Sequence, residues 1–257
     1  MIPLRDTAPC RRTPIVTWVL LASNVAVFLF ELTLGPDSLQ RFLEDFGLIT
    51  ARFTDPLWAA SSAFPTAPAI STLTSMFLHL NWAHLLANLW TLWIFGDNVE
   101  DRMGHARFLL FYILMGLLAG VVHCLVHPHS TIPAIGASGS VAGVLGAYLV
   151  LYPRARIVVA VPLFLFFFFA RLPAVCYLIL WIATQVMSGT LASLGVEPVD
   201  KIAWWAHTGA FLAGIAMCQS FLLPAPPPVL HPRRAVHMRK GGIAPALTRS
   251  STKSASV

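Results

Sequence analysis

The chain has 257 residues, of which 57% are hydrophobic and 11% charged, with a mean hydropathy of +0.72 and a formal net charge of +6. Soluble domains carry about twice that share of charge, so the composition excludes an ordinary water-soluble globule and points to lipid as the solvent. The basic excess is no nucleic-acid footprint, because no basic stripe is interleaved with base-stacking aromatics.

A helix needs roughly 17–25 apolar residues to cross a bilayer. Six stretches qualify: 15–33, 82–100, 106–126, 138–153, 172–188 and 204–223. Met1 to Arg12 is polar and basic, and no small-residue cleavage site follows the first apolar run, so that span is expected to stay. Arg5, Arg11 and Arg12 precede span one, Arg102 and Arg107 follow span two, and Arg154 and Arg156 follow span four. Arg233, Arg234, Arg239, Lys240, Arg249 and Lys253 follow span six, whereas the alternate loops hold Arg41, Arg52 and Lys201. Positive-inside then places both termini in the cytoplasm. The expectation is an all-α, multi-pass integral membrane protein with six transmembrane helices. A basic cytoplasmic head covers 1–12, the six-span domain 13–223, and a Pro-rich then basic tail 224–257 has the composition of a disordered segment.

Two stretches fall outside this count. Residues 34–72 make a long first loop that keeps enough apolar residues ("FGLITARF") to pack. Residues 157–170 are broken from the fifth span by Arg171 and Pro173 and read as an interfacial or re-entrant segment. Cys10, Cys124, Cys176 and Cys218 show no mutual spacing pattern, so neither a disulfide nor metal ligation is expected, and apolar packing is the reading.

Three of the spans open on polar groups. "HLNWAHLLANLW" sets His84 and Asn88 four residues apart, on one helical face at the start of span two. "IPAIGASGSVAGVLGAY" puts Ser138 at the start of span four, after the loop markers Pro133 and Gly136. A serine there is an N-cap or a nucleophile beside free backbone N–H groups. The following Gly139, Ala142, Gly143 and Gly146 read equally as a packing stripe. "KIAWWAHTGAFLAGIA" puts His207 at the start of span six with Ala203, Ala206, Ala210 and Gly214 as a second small stripe. His207 is an interhelical hydrogen-bonder or a base. With the amino terminus inside, even-numbered spans all begin at the outer side, so His84, Asn88, Ser138 and His207 share one depth.

The chemistry narrows by elimination. "HLNWAH" lacks the glutamate of a metalloprotease helix, and no pair of aspartates lies within the spans. His123, His127 and His129 read as interfacial histidines before metal ligands. A hydroxyl activated by an imidazole remains, the arrangement for acyl transfer, with His84, Asn88 and the Ser138 N–H as oxyanion donors. Asp97, Glu100 and Asp101 lie roughly 20 Å from His84 along the helix, and neither Glu197 nor Asp200 has helical spacing to His207. A dyad is therefore expected.

Three blocks, "TLTSMFLHLNWAHLLANLWTLWIFGDNVEDRMG", "GASGSVAGVLGAYLVLYPRAR" and "AWWAHTGAFLAG", resemble in order those of the rhomboid intramembrane serine proteases. The resemblance covers 13–222. It implies a six-helix rhomboid bundle of the bacterial type, a Ser138 nucleophile, a His207 general base and acid, and an oxyanion site from His84 and Asn88. It further implies structural roles near the site for His79, Gly136, Gly139, Ala210 and Gly214, and an anchoring role for Glu100. The first loop and the fifth span resemble elements held to admit substrate from the lipid. The family commonly has glycine where Ala210 stands, and some members have tyrosine where Ala142 stands, which leaves Trp204 or Trp205 to support the His207 ring. The implied activity is a serine endopeptidase without metal or cofactor, cutting transmembrane protein substrates in the bilayer. A bacterial inner membrane is the expected location, and no nucleic-acid partner is expected. The competing readings are a rhomboid-like client binder that does not cut, against which the complete Ser138/His207 pair stands, and a small-solute transporter, for which no internal repeat is found.

Overall fold

A computed structural model describes residues 1–61, 64, 66–163, 166–195 and 203–224. The expected tail past Pro224 lies outside the described residues, as do Glu197, Asp200 and Lys201. The elements, all within the unit Met1–Leu223, are β1 (Ile2–Asp6), α1 (Ile15–Glu31), α2 (Pro36–Phe46), α3 (Ala51–Thr54), α4 (Pro56–Ser61) and α5 (Pro68–Thr74). After a 3₁₀ turn at Ser75–Phe77 come α6 (Trp82–Met103), α7 (His105–Val126), α8 (Ser138–Leu151), β2 (Arg156–Leu163), β3 (Phe166–Pro173), α9 (Ala174–Ser193) and α10 (Trp204–Phe221).

Helices α1, α6, α7, α8, α9 and α10 coincide with the six apolar stretches. By length and composition α7 and α9 are able to cross a membrane, and α1 and α8 are shorter apolar helices. Large apolar side chains such as Trp93, Leu110, Leu125, Ile179, Met187 and Leu212 point outward and are exposed, which suits lipid contact and not water. Helix α8 is apolar all round and every residue from Gly139 to Tyr148 is buried, as expected of a central helix. It packs against α10, α7 and α6. The small residues set the spacing: a Cβ on Gly139 would lie 2.4 Å from Ala119 Cβ, and one on Gly146 would lie 2.1 Å from the Phe211 carbonyl.

Helix α1 lacks a side-chain cap of its own. Glu100, near the C-terminal end of α6, supplies it from a neighbouring helix. The Val16 and Thr17 N–H groups donate to its carboxylate at 2.9 and 2.8 Å, and the Thr17 hydroxyl donates at 2.7 Å. An acid at a helix N-terminus satisfies orphan donors and meets the positive dipole end, so Glu100 ties α1 to α6.

The all-α expectation needs one correction. The described residues of 157–170, read from the sequence as an interfacial or re-entrant segment within an all-helical chain, are instead most of a β-hairpin, with β2 and β3 antiparallel from Arg156↔Pro173 onward. Strand β1 adds to β2 with Ile2↔Ala160 and Asp6↔Ile157 paired, so the sheet order is β1-β2-β3 and the basic head contains a five-residue strand. The cause is local chemistry. Ile157, Val158, Val159 and Val161 favour the pleated backbone, and a proline at 162 would break a helix. Ile157 and Val159 are fully buried, whereas Phe166, Phe167, Phe168 and Phe169 on the edge strand are exposed. A second difference concerns the cysteines: all four are free thiols, but only Cys218 is buried, while Cys10 and Cys176 are exposed.

The long first loop is a set of short helices fastened to the segment before α8. Leu48 and Ala134 exchange backbone hydrogen bonds of 3.0 and 2.8 Å, the Ala51 N–H donates to the Ser130 carbonyl at 3.0 Å, and the Gly136 N–H donates to the Ser75 carbonyl at 2.8 Å. Arg52 is buried inside the loop, donating to the carbonyls of Asp45 and Thr66 and lying 4.3 Å from the Phe64 ring centre. Burial lowers its guanidinium pKa, with Asp45 opposing. The strap fixes the chain that enters α8.

Candidate active site

Ser138 is the first residue of α8, after Ala137 at the N-cap, and no side chain caps this helix. Its hydroxyl is therefore not used as a cap. It faces His207 instead, with Oγ 2.7 Å from His207 Nε2. His207 sits in the first turn of α10, buried to 9% exposure. The approach of the two helices rests on absent side chains: a Cβ on Gly214 would lie 2.1 Å from the Gly143 carbonyl oxygen. Small residues permit such backbone contact.

The loop before Ser138 turns at Gly136, whose φ of +122° is open mainly to glycine. A Cβ there would also lie 2.7 Å from the His84 ring and 3.7 Å from Ser138 Oγ, so His84 and the serine crowd one side of this residue. Asn81 caps α6 through the His84 N–H at 2.9 Å. Asn88, one turn on, donates one amide hydrogen to the His84 carbonyl at 3.1 Å; a carboxamide has a second. His79 is buried behind them. Its Nδ1 is 3.2 Å from the Phe77 carbonyl, its backbone N–H faces the Glu31 carboxylate at 3.3 Å, and its ring meets that of His84 at 5.1 Å. Burial, with His84 adding, pushes the His79 imidazole down to about 4, so its ring is neutral at pH 7.

Ser138, His207, His84 and Asn88 line one cleft of about 520 Å³, with Val141 and Leu145 of α8, Trp181 and Gln185 of α9, and Trp204 of α10. Its side walls are α6, through Ala87 and Thr91, and α9. The structure thus brings together the four residues expected at the site. Gly139, Ala210 and Gly214 lie behind it, Ala210 fully buried.

One participant is new. Gln185 Oε1 lies 2.9 Å from His207 Nδ1. The tryptophans divide: Trp204 stands edge-on to His207 at 6.4 Å, whereas Trp205 turns away to donate to Ser193 Oγ at 3.2 Å. The signal available in sequence was a carboxamide in an apolar span, with nothing to connect it to residue 207. The carboxylates have other work: Glu100 caps α1, Asp101 accepts from the Arg11 and Arg12 N–H groups at 3.2 and 2.8 Å, and Asp97 accepts from Asn98 N–H at 2.7 Å.

An apolar helical bundle that holds a serine hydroxyl against a buried histidine defines a narrow class of membrane protein. The Rhomboid domain model matches residues 68–223, more than half of the chain, and the chain belongs to the rhomboid family. It is similar to rhomboid protein 1, mitochondrial, of Saccharomyces cerevisiae, with 30% identity over 57% of this chain and 39% of that protein. The rhomboid protease GluP of Bacillus subtilis is 40% identical over 30% of this chain and 15% of its own length. Rhomboid-like protein 11, chloroplastic, of Arabidopsis thaliana is 42% identical over 28% of this chain and 25% of its own. The matches thus span well under half of each relative. The protein is an integral membrane protein; because bacterial, mitochondrial and chloroplast relatives all match, the likeness does not select a bacterial type.

Proposed function

We propose that the chain is an intramembrane serine endopeptidase cleaving transmembrane proteins within or beside their membrane segments. The observation that carries this reading is the 2.7 Å contact between Ser138 Oγ and His207 Nε2 at the floor of an open cleft. That distance suits proton transfer from hydroxyl to imidazole. Ser138 attacks the scissile carbonyl while His207 takes its proton and then delivers it to the leaving amine. The tetrahedral oxyanion is met by the Ser138 N–H, the second Asn88 amide hydrogen and His84, in a site where fixed donors need no reorganisation. Water repeats the attack on the acyl-enzyme.

The six apolar helices each span the bilayer in this reading, with both termini cytoplasmic and the site towards the outer face. The arginine bias supports that orientation. The protease domain is 13–223, and the basic tail from 224 is dispensable for cleavage. A substrate segment enters from the lipid between α6 and α9, which form the cleft's side walls. The location in this reading is a bacterial inner (plasma) membrane, with the charge bias as its support. Comparison of membrane peptides released by wild type and by Ser138→Ala in native membranes tests the proposal. Fragments present only with the serine support it. Identical release profiles, with partners still bound, would instead indicate a client-binding protein.

A further inference from the structure

A serine–imidazole pair works as a base only in one tautomer. To accept the Ser138 proton, His207 Nε2 must present its lone pair, so Nδ1 must carry the hydrogen and requires an acceptor. In the reverse tautomer Nε2–H donates to the serine oxygen and cannot take its proton. Among the described residues, the group set against Nδ1 is the Gln185 amide oxygen, at 2.9 Å, and Gln185 itself is buried to 7% exposure. Among the described residues, the titratable side chains acting on His207 are His84 of α6 and His123 of α7, and neither is a carboxylate.

The packing of α9 explains why the amide reaches. Gly189 lies one turn beyond Gln185 on the same helical face. A Cβ at 189 would lie 3.0 Å from the Trp205 ring and 3.2 Å from Trp204 Cβ. Glycine at this position therefore lets α9 lie against the start of α10, where His207 sits.

We propose that Gln185 is a positioning residue that holds His207 as the Nδ1–H tautomer, taking from the fifth apolar helix the orienting role that a carboxylate has in water-soluble triads. A neutral acceptor suits a buried membrane site, because an ionised carboxylate there would need a further partner. The catalytic work of the pair then depends on where α9 stands relative to α10. This assignment rests on the reading of Ser138 and His207 as nucleophile and base.

The test uses full-length protein in lipid. Gln185→Leu should lower kcat by roughly 10- to 100-fold, the effect of leaving a buried donor unpaired, with KM within about twofold of wild type. Gln185→Asn, too short to reach, should behave likewise, and Gln185→Glu, whose protonated carboxyl keeps a neutral carbonyl acceptor, should recover most of the rate. The ¹⁵N signals of the His207 ring give a readout independent of turnover. Wild type and Gln185→Glu should show a protonated Nδ1 and a lone pair on Nε2, and Gln185→Leu should show a mixture. Wild-type kcat together with an unchanged ring spectrum in Gln185→Leu would overturn the assignment. An inactive wild type would remove the protease reading, and its ring spectrum would still report whether Gln185 fixes the tautomer.

Discussion

Gly143 and Gly214 meet backbone to backbone: the carbonyl oxygen of one stands 2.1 Å from where a Cβ on the other would begin. No side chain fits, so a substitution here moves α10 relative to α8 and with it the 2.7 Å contact between His207 and Ser138. Gly214→Val should therefore reduce cleavage far more than membrane insertion, at an overpacking cost of about 1–3 kcal/mol. Ala210→Gly, which only removes a methyl from the same helix, should keep most of the activity at a helix-propensity cost of about 1 kcal/mol. Thermal unfolding in detergent beside a cleavage assay separates the two effects. Full activity in Gly214→Val would show that the spacing of α8 and α10 is not what sets the pair.

Glu100 should matter for stability and little for chemistry. Its carboxylate accepts three hydrogen bonds from Val16 and Thr17, and Glu100→Ala strands those donors at a partly buried helix end. A loss of about 2–4 kcal/mol is expected, with a smaller loss in Glu100→Gln, which keeps one acceptor oxygen. Turnover measured well below the unfolding midpoint should stay within a few-fold of wild type. A collapse of turnover in correctly folded Glu100→Gln would place this residue in the reaction.

Much of this was legible in the sequence because lipid imposes a simple rule. Apolar stretches of spanning length become helices, and a polar residue left inside one must have a partner. Ser138 and His207 stood out for that reason, and the glycine and alanine stripes beside them anticipated close helix contact. The Gln185 contact was not legible, because it depends on how α9 leans on α10 through Gly189, a tertiary relationship between residues 22 apart with no periodic signature. The β-hairpin was missed for a different reason. "RIVVAVPLFLFFFFARLP" has the hydropathy of membrane-buried chain, and the strand that completes its sheet is Ile2–Asp6, about 150 residues earlier. Hydropathy reports where a segment sits and is nearly blind to helix against strand when β-branched residues and phenylalanines alternate with nothing polar.

His84 and Asn88 should affect rate and not assembly. In the proposed reaction each donates to developing charge, and loss of one oxyanion donor costs about 2.7–4 kcal/mol, or roughly 100- to 1,000-fold in kcat. His84→Ala and Asn88→Ala, reconstituted in liposomes with a transmembrane substrate, should show that loss while covalent labelling of Ser138 by a small electrophile persists at a reduced rate. Wild-type turnover in both variants would remove them from the site.

The central claim is that Ser138 is a nucleophile made reactive by His207. Purified protein in lipid should be treated with a fluorophosphonate probe and the modified residue located by mass spectrometry of its peptides. The account predicts stoichiometric modification at Ser138, suppressed in His207→Ala because a hydroxyl without a base is a poor nucleophile at neutral pH, and absent in Ser138→Ala. Equal labelling in wild type and His207→Ala, or cleavage of a transmembrane substrate that survives in clean Ser138→Ala protein, would contradict it.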